Sequence, residues 1–361
     1  MSDYLSDVLP DFVWDALFDV GVGREPLPTN SDPDTPVYTA VDDQDLNPPQ
    51  LPPPTPEEID KAIKQAFLAV DKRIVSDPIP SVFSSPSKTN AVKELRLARA
   101  GSCALLSIYT KDTRELRIAL TGDSRAVLGR RTSKNRYQVQ LLSTDQNVSN
   151  PKEETRIRSA HPNNEKLIKD GRMLGWAPTR AFGDAAYKWS LDIQSRLRDE
   201  YLGDRPPPDV KTPPYLTAEP EITTVKIQPG DFVVLGSDGL WDCLSNEEVV
   251  GLTGVWLEQH AYRVWGGRLA RGLGYPPSPP PPAGGPPLLN VDTPIKRDSL
   301  PVMLPKKDET VMYPYWKANK EFLNVDSNAA AHLVRNAFGG RDRDLTEALL
   351  RMGPPRSRRF R

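Results

Sequence analysis

Residues 232–235, Phe-Val-Val-Leu, form a short apolar run that stops at Gly236-Ser-Asp-Gly-Leu-Trp-Asp242, with Asp238 and Asp242 four positions apart. An apolar strand that breaks at once into a polar turn and then a helix signal belongs at the edge of a sheet, with its side chains committed to a buried core. Carboxylates at such a strand end are held firmly, and Gly239 beside Asp238 lets backbone come close to an ion, so a metal site is easily built there. Asp-Gly is equally a common turn pair, and this run alone does not separate the two readings.

A second run of the same kind follows alternating Leu116, Ile118 and Leu120, which read as a half-buried strand turning at Gly122-Asp123 and returning through Ala126-Val127-Leu128. This spacing predicts a hairpin with a carboxylate at its tip. Strands are expected at 102–110, 114–121, 124–129, 137–142, 221–227 and 231–236. Helices are legible from their caps. Thr55-Pro-Glu-Glu58 is a capping box ahead of a stripe of Ile59, Ile63, Phe67 and Val70. Ser245-Asn-Glu-Glu248 repeats it ahead of 249–258, and 328–337 is expected to turn Ala330, Leu333, Val334 and Ala337 toward a core. Gly171-Arg-Met-Leu-Gly-Trp-Ala-Pro-Thr-Arg-Ala-Phe-Gly-Asp184 has no clean period and reads as an ordered loop packed by its own side chains.

Composition excludes several classes of function. Formal net charge is −1, from 47 Lys+Arg against 48 Asp+Glu, so the whole chain has no polyanion-binding character and nucleic acid is not an expected partner. Residues 1–60 hold fourteen acids and one Arg, which predicts a solvated, partly disordered start. The 38 prolines cluster in 26–56, 206–214 and 276–305, and Pro276-Pro-Ser-Pro-Pro-Pro-Pro-Ala-Gly-Gly-Pro-Pro287 suits a polyproline II spacer or ligand rather than a core. Two cysteines, Cys103 in an expected strand and Cys243 beside the Asp238 run, imply neither a disulfide framework nor a zinc site. No apolar stretch approaches the ~20 residues that span a bilayer, and the first residues are too acidic for a secretory or mitochondrial leader.

Five blocks in chain order carry a resemblance: Gly101-Ser-Cys-Ala104, Thr121-Gly-Asp-Ser-Arg-Ala-Val-Leu128, Thr179-Arg-Ala-Phe-Gly-Asp184, Leu216-Thr-Ala-Glu-Pro220 and Ser237-Asp-Gly-Leu-Trp-Asp242. Together they resemble the metal-dependent (type 2C, PPM) protein serine/threonine phosphatases. The wording of Pro178-Thr-Arg-Ala-Phe-Gly-Asp-Ala-Ala-Tyr-Lys-Trp189 and Ser357-Arg-Arg-Phe-Arg361 is most similar to the mitochondrial pyruvate dehydrogenase phosphatase branch. The resemblance covers roughly residues 55–361, with a Pro-rich insert at about 261–320, behind an acidic Pro-rich segment 1–54 that keeps a remnant of the family's first helix. It implies an α+β fold, a two-sheet antiparallel β-sandwich flanked by helices, incomplete here at both ends. It also implies Mn²⁺ or Mg²⁺ ions activating a water that attacks phosphorus. Asp238 matches the family's core metal aspartate, and Asp242 and Asp123 match the acids of an additional, more weakly held ion. The implied substrate is a phosphoserine or phosphothreonine protein, the pyruvate dehydrogenase complex among them, and the implied address is mitochondrial, or cytoplasmic if the start without a transit peptide is genuine.

The departures bear on activity. No Asp-Gly-His block occurs, and His161, His260 and His332 are none of them preceded by Asp-Gly, so each is expected in a routine surface or helix role and the catalytic acid has no candidate. The family's closing aspartate strand, expected after Ser357 to Arg361, is likewise not in the sequence; a shortened phosphatase gene product is the expected explanation of both, against a chain kept for interaction without catalysis. One core carboxylate is a poor match for hard cations that use several oxygens each, which predicts weak or no turnover. A non-catalytic interaction module is the alternative, and an unrelated β-rich binding domain whose Asp-Gly pairs are turns is a third reading.

Overall fold

The computed structural model describes residues 1–22, 53–132, 136–207, 209–272, 293–304, 312–313 and 316–354, and in 261–272 the backbone alone. The polyproline run 276–287, most of the Pro-rich stretch 26–56 and the basic tail 356–361 lie outside the described residues. The chain divides into two compact units, Met1–Ala104 with Lys152–Pro220, and Leu105–Pro151 with Glu221–Arg361. Among the described residues no helix is long and apolar enough to cross a membrane.

In the second unit two three-stranded sheets form the sandwich. Glu115–Thr121 lies between Ala104–Thr110 and Glu221–Lys226, and Arg125–Arg131 lies between Phe232–Gly236 and Tyr137–Leu141. The pairings with Glu221–Lys226, Phe232–Gly236 and Tyr137–Leu141 are antiparallel. Alternation sorts the side chains by face. Leu116 and Ile118 from one sheet meet Ala126 and Leu128 from the other, with Leu105, Val225 and Val233 closing that core. The opposite face of the second sheet carries Val127, Val139, Phe232 and Val234, and these pack against Val249, Val250 and Leu252 of the Asn246–Gly272 helix. Each fully buried aliphatic side chain contributes roughly 1.5–3 kcal/mol.

All six expected strands are present within one or two residues, but the hairpin is not. Glu115–Thr121 and Arg125–Arg131 do not pair; they belong to different sheets. Both strands are apolar on an inward face, so the three residues between them carry the chain across the sandwich instead of folding it back. Gly122, at φ 113°, makes that corner, and the fully buried Gln146 fixes it by accepting from the Gly122 amide at 2.7 Å and donating to Leu120 O at 3.1 Å.

The Ala329–Ala337 helix is capped by Asn328, whose side chain accepts from the amides of Ala330 and Ala331. Its buried face is His332, Leu333, Asn336 and Ala337, whereas Ala330 and Val334 are exposed. The expected stripe is therefore rotated, because Asn336 earns burial by bonding both Leu323 N and Leu323 O, at 2.9 Å each.

In the first unit the Ser2–Asp19 helix packs on Pro56–Val75 through Leu5, Leu9, Val13 and Leu17. That corrects the expectation of a solvated start for these residues. A four-residue repeat stacks one apolar stripe against the neighbouring helix while Asp3, Asp7, Asp11, Asp15 and Asp19 recur at the same interval on the exposed side. Both capping boxes form, at Thr55/Glu58 and, in the other unit, at Ser245/Glu248. Cys103 lies just outside the strands, between Gly101–Ser102 and Ala104–Thr110.

All three histidines are buried, so none has the surface role; His260 and His332 lie in helices, as the helix alternative expects, and His161 follows the end of one. His161 stacks on Tyr215 with ring centroids 4.1 Å apart and bonds Thr212 Oγ1 at 2.8 Å through Nδ1. His260 stacks on Trp256, and burial holds His332 at about 4, neutral at physiological pH.

Candidate functional site

The three predicted aspartates share one end of the second sheet. Gly236 pairs with Arg125 in the antiparallel ladder, so Asp238, two residues beyond, and Asp123, two residues before, leave the sheet on the same side. Ser237 starts a single helical turn, Asp238–Trp241, and the Asp242 amide donates to Asp238 O at 2.7 Å. Trp241 folds this turn back over the strand by donating its indole Nε1–H to Gly236 O at 2.8 Å, and the buried Cys243 and Leu244 anchor the chain just beyond the turn.

Arg125 organises this end. Its guanidinium grips Asp145 twice, Nε to Oδ1 at 2.8 Å and Nη2 to Oδ2 at 2.6 Å, donates from Nη1 to Asn246 Oδ1 at 2.9 Å, and lies 5.3 Å from the Trp241 ring centre. One fork therefore ties the loop after Tyr137–Leu141, the Asn246–Gly272 helix start and the Asp238 turn together. Sequence reasoning gave neither Asp145 nor Arg125 a role. Arg125 lies inside the Gly-Asp-Ser-Arg block and was legible there, whereas nothing in the isolated Ser-Thr-Asp-Gln run around Asp145 marks its partner.

Asp238 is exposed and turns Oδ1 onto its own Gly239 amide at 2.8 Å; Asp242 is exposed and Asp123 half-buried. Carboxylate oxygens are the right donors for Mg²⁺ or Mn²⁺. Among the described residues, however, no group of three or more His, Cys, Asp or Glu converges as an ion's shell would. The aspartates are brought to one end of the sheet without gathering into such a group. Cys243 is no nucleophile, because burial and then the Asp242 charge push its thiol up to about 11.

In the first unit the expected ordered loop is held by two buried charge clusters. Glu153 accepts from Arg180 Nε at 3.1 Å, Arg156 Nη2 at 2.8 Å and Thr179 Oγ1 at 2.7 Å. Burial opposes its ionisation, but these donors overcome that and hold its carboxyl at about 2. Arg180 also reaches Glu219 O at 2.7 Å, which fixes the loop against the Leu-Thr-Ala-Glu block.

The second cluster pairs Lys188 with both Asp71 oxygens at 2.7 Å. Beside it Asp184 sits in the left-handed region at φ 46°, with burial pushing its carboxyl up to about 6 against the pull of Lys188 and the Trp176 indole. Gly101 leaves room for this carboxylate, since a Cβ on it would stand 1.9 Å from Asp184 Oδ2 and the side chain would have to shift. Part of the loop is regular after all: Ile168–Lys169 pairs with Arg172–Met173, and Phe182–Gly183 pairs with Gly101–Ser102.

Residues 47–266 match the family model described as Protein phosphatase 2C. The chain is 37% identical over 312 residues to "Protein phosphatase 2C homolog C10F6.17c" of Schizosaccharomyces pombe, covering 85% of this chain and 61% of that protein. It is also 37% identical over 312 residues to the mitochondrial "[Pyruvate dehydrogenase [acetyl-transferring]]-phosphatase 1" of Saccharomyces cerevisiae, covering 84% of this chain and 52% of that protein. The chain thus spans about half to three-fifths of the length of these relatives. Among solved structures, a serine-threonine phosphatase 2C from Toxoplasma gondii aligns with 60% of this chain and 61% of its own at 19% identity, with a TM-score of 0.37. The family match sets aside the reading of an unrelated β-rich binding domain.

Proposed function

Because this chain belongs to the protein phosphatase 2C family, we propose that it acts on phosphoserine or phosphothreonine in a protein, as a metal-dependent phosphatase of the pyruvate dehydrogenase phosphatase type. The observation that carries this reading is the identity with the Saccharomyces cerevisiae enzyme, sustained over 312 residues. The pyruvate dehydrogenase complex is then the proposed partner and the mitochondrion the proposed location. Asp238, Asp242 and Asp123 are the residues proposed to face Mn²⁺ or Mg²⁺. Since no Asp-Gly-His block or closing aspartate strand stands beside Asp238 in the sequence, turnover by this chain is expected to be weak. A phosphopeptide assay in millimolar Mn²⁺ tests both parts: robust phosphate release that vanishes in Asp238→Ala would overturn the inadequate site, and no release together with no binding of phosphopeptide would overturn the phosphatase reading.

The spread of the three carboxylates favours a second reading, a non-catalytic member that still docks a phosphoprotein or a dehydrogenase core. It expects capture of the partner that persists in EDTA and in Asp238→Ala. Loss of capture under either condition counts against it.

A further inference from the structure

A small open pocket in the first unit has Trp189 in its lining and is walled by Arg99, Gln194, Gly203, Asp204 and Arg205. Its two guanidiniums are exposed, and neither makes a hydrogen bond or ion pair with another described residue. In the same unit Arg156, Arg180, Arg196 and Arg198 each donate to a carboxylate. Asp204 is the acid in the wall, so the pocket carries two positive charges against one negative.

The backbone under it is built rather than loose. Leu202 takes φ 59° and Gly203 donates to Leu197 O at 2.9 Å, which brings the chain back over the end of the Leu191–Glu200 helix. A Cβ on Gly203 would lie 2.8 Å from the Leu197 carbonyl carbon, so this approach needs glycine. Pro206 then restricts Arg205 to extended backbone. Gln194, nearly fully buried, donates to Trp189 O at 2.7 Å, and the Trp189 indole donates to Val75 O at 2.8 Å. The indole's only donor is therefore spent inside the fold, and Arg99 and Arg205 supply the wall's charged donors. Two guanidiniums without a partner among the described residues, beside an aromatic surface, suit an anionic group carried on a peptide, phosphoryl or carboxylate, which such forks bind in pairs of hydrogen bonds.

We propose that this pocket binds an anionic side chain of the phosphoprotein on which the chain acts, through Arg99 and Arg205. The proposal takes the class of partner from the phosphatase reading, but its test does not need turnover. Three fluorescent peptides of one sequence, carrying phosphoserine, glutamate or serine at one position, are titrated against the full chain in EDTA and followed by anisotropy. The phosphoserine peptide is expected to bind about tenfold or more tightly than the serine peptide, and R99Q/R205Q to lose that difference while Asp238→Ala keeps it. Both replaced side chains are exposed, and circular dichroism confirms that the variant folds. Equal binding of phosphoserine and glutamate peptides, both tighter than serine, supports a site that takes either anion, and preference for phosphoserine supports one that favours phosphoryl groups. Equal binding of all three peptides, or undiminished binding to R99Q/R205Q, overturns the proposal. Phosphate release, measured in a separate assay, bears on the phosphatase reading alone and leaves this result standing whichever way it falls.

Discussion

Asp184→Asn should stabilise the protein at alkaline pH and lose that advantage in acid. Asp184 is buried in left-handed backbone beside Lys188 and Asp71, and burial raises its carboxyl from an ordinary 3.8 to about 6. A folded-state pKa above the unfolded one means that the native state holds the proton more tightly between those two values. Stability attributable to this group is thus full below about 3.8, falls as pH rises, and is lost above about 6. At ~1.36 kcal/mol per pH decade, the ionised carboxylate costs about 3 kcal/mol at pH 8 and only about 0.5 kcal/mol at pH 4.

Asparagine keeps an oxygen for the Trp176 indole and tolerates a left-handed φ. It gives up an attraction to Lys188, which retains both Asp71 oxygens and Ala181 O at 2.7 Å. The variant should therefore gain about 1–2 kcal/mol at pH 8, and its advantage over the parent should shrink by about 2 kcal/mol at pH 4. Urea denaturation of both proteins at the two pH values reads this directly. A variant less stable than the parent at pH 8, or a difference that does not change with pH, would refute the reasoning.

Two further substitutions probe the same architecture. Glu153→Gln leaves Arg180 buried without its counter-charge and should cost about 3–5 kcal/mol at neutral pH; because the Glu153 carboxyl is held at about 2, below its ordinary 4.5, that contribution is present above 4.5 and disappears as pH falls through about 2, so a loss that stays constant down to strong acid would contradict it. Gly129→Ala drives a methyl to 2.3 Å from the Phe232 ring carbon across the ladder and should lower stability by about 1–3 kcal/mol, seen as a lower Tm; an unchanged Tm would mean that the ring yields freely.

Much of the scaffold is local and is therefore readable. Alternation at Leu116, Ile118 and Leu120, the apolar run ending at Leu235, and the caps at Thr55 and Ser245 each act over a few residues, so strands and helix starts fall where they are expected. The corner at Gly122 departs from expectation because a turn signal gives the place of a reversal and not the partner of the returning strand. The buried face of Ala329–Ala337 departs for a related reason: apolar residues alone assign it in the sequence, whereas Asn336 is buried by its bonds to Leu323 in a preceding loop.

At the candidate site the sequence by itself determined the residue types and their order, Asp123 after one strand, Asp238 and Asp242 after another, because strand ends and turn residues are written locally. Only the tertiary structure decided that Arg125 would close on Asp145, that Lys188 would sit between Asp71 and Ala181, and that the three predicted aspartates would share a sheet end without meeting at one point. Those outcomes depend on how strands of two sheets are paired and on which charges lose water together. Both are set by contacts between residues far apart in the chain, which no local pattern encodes.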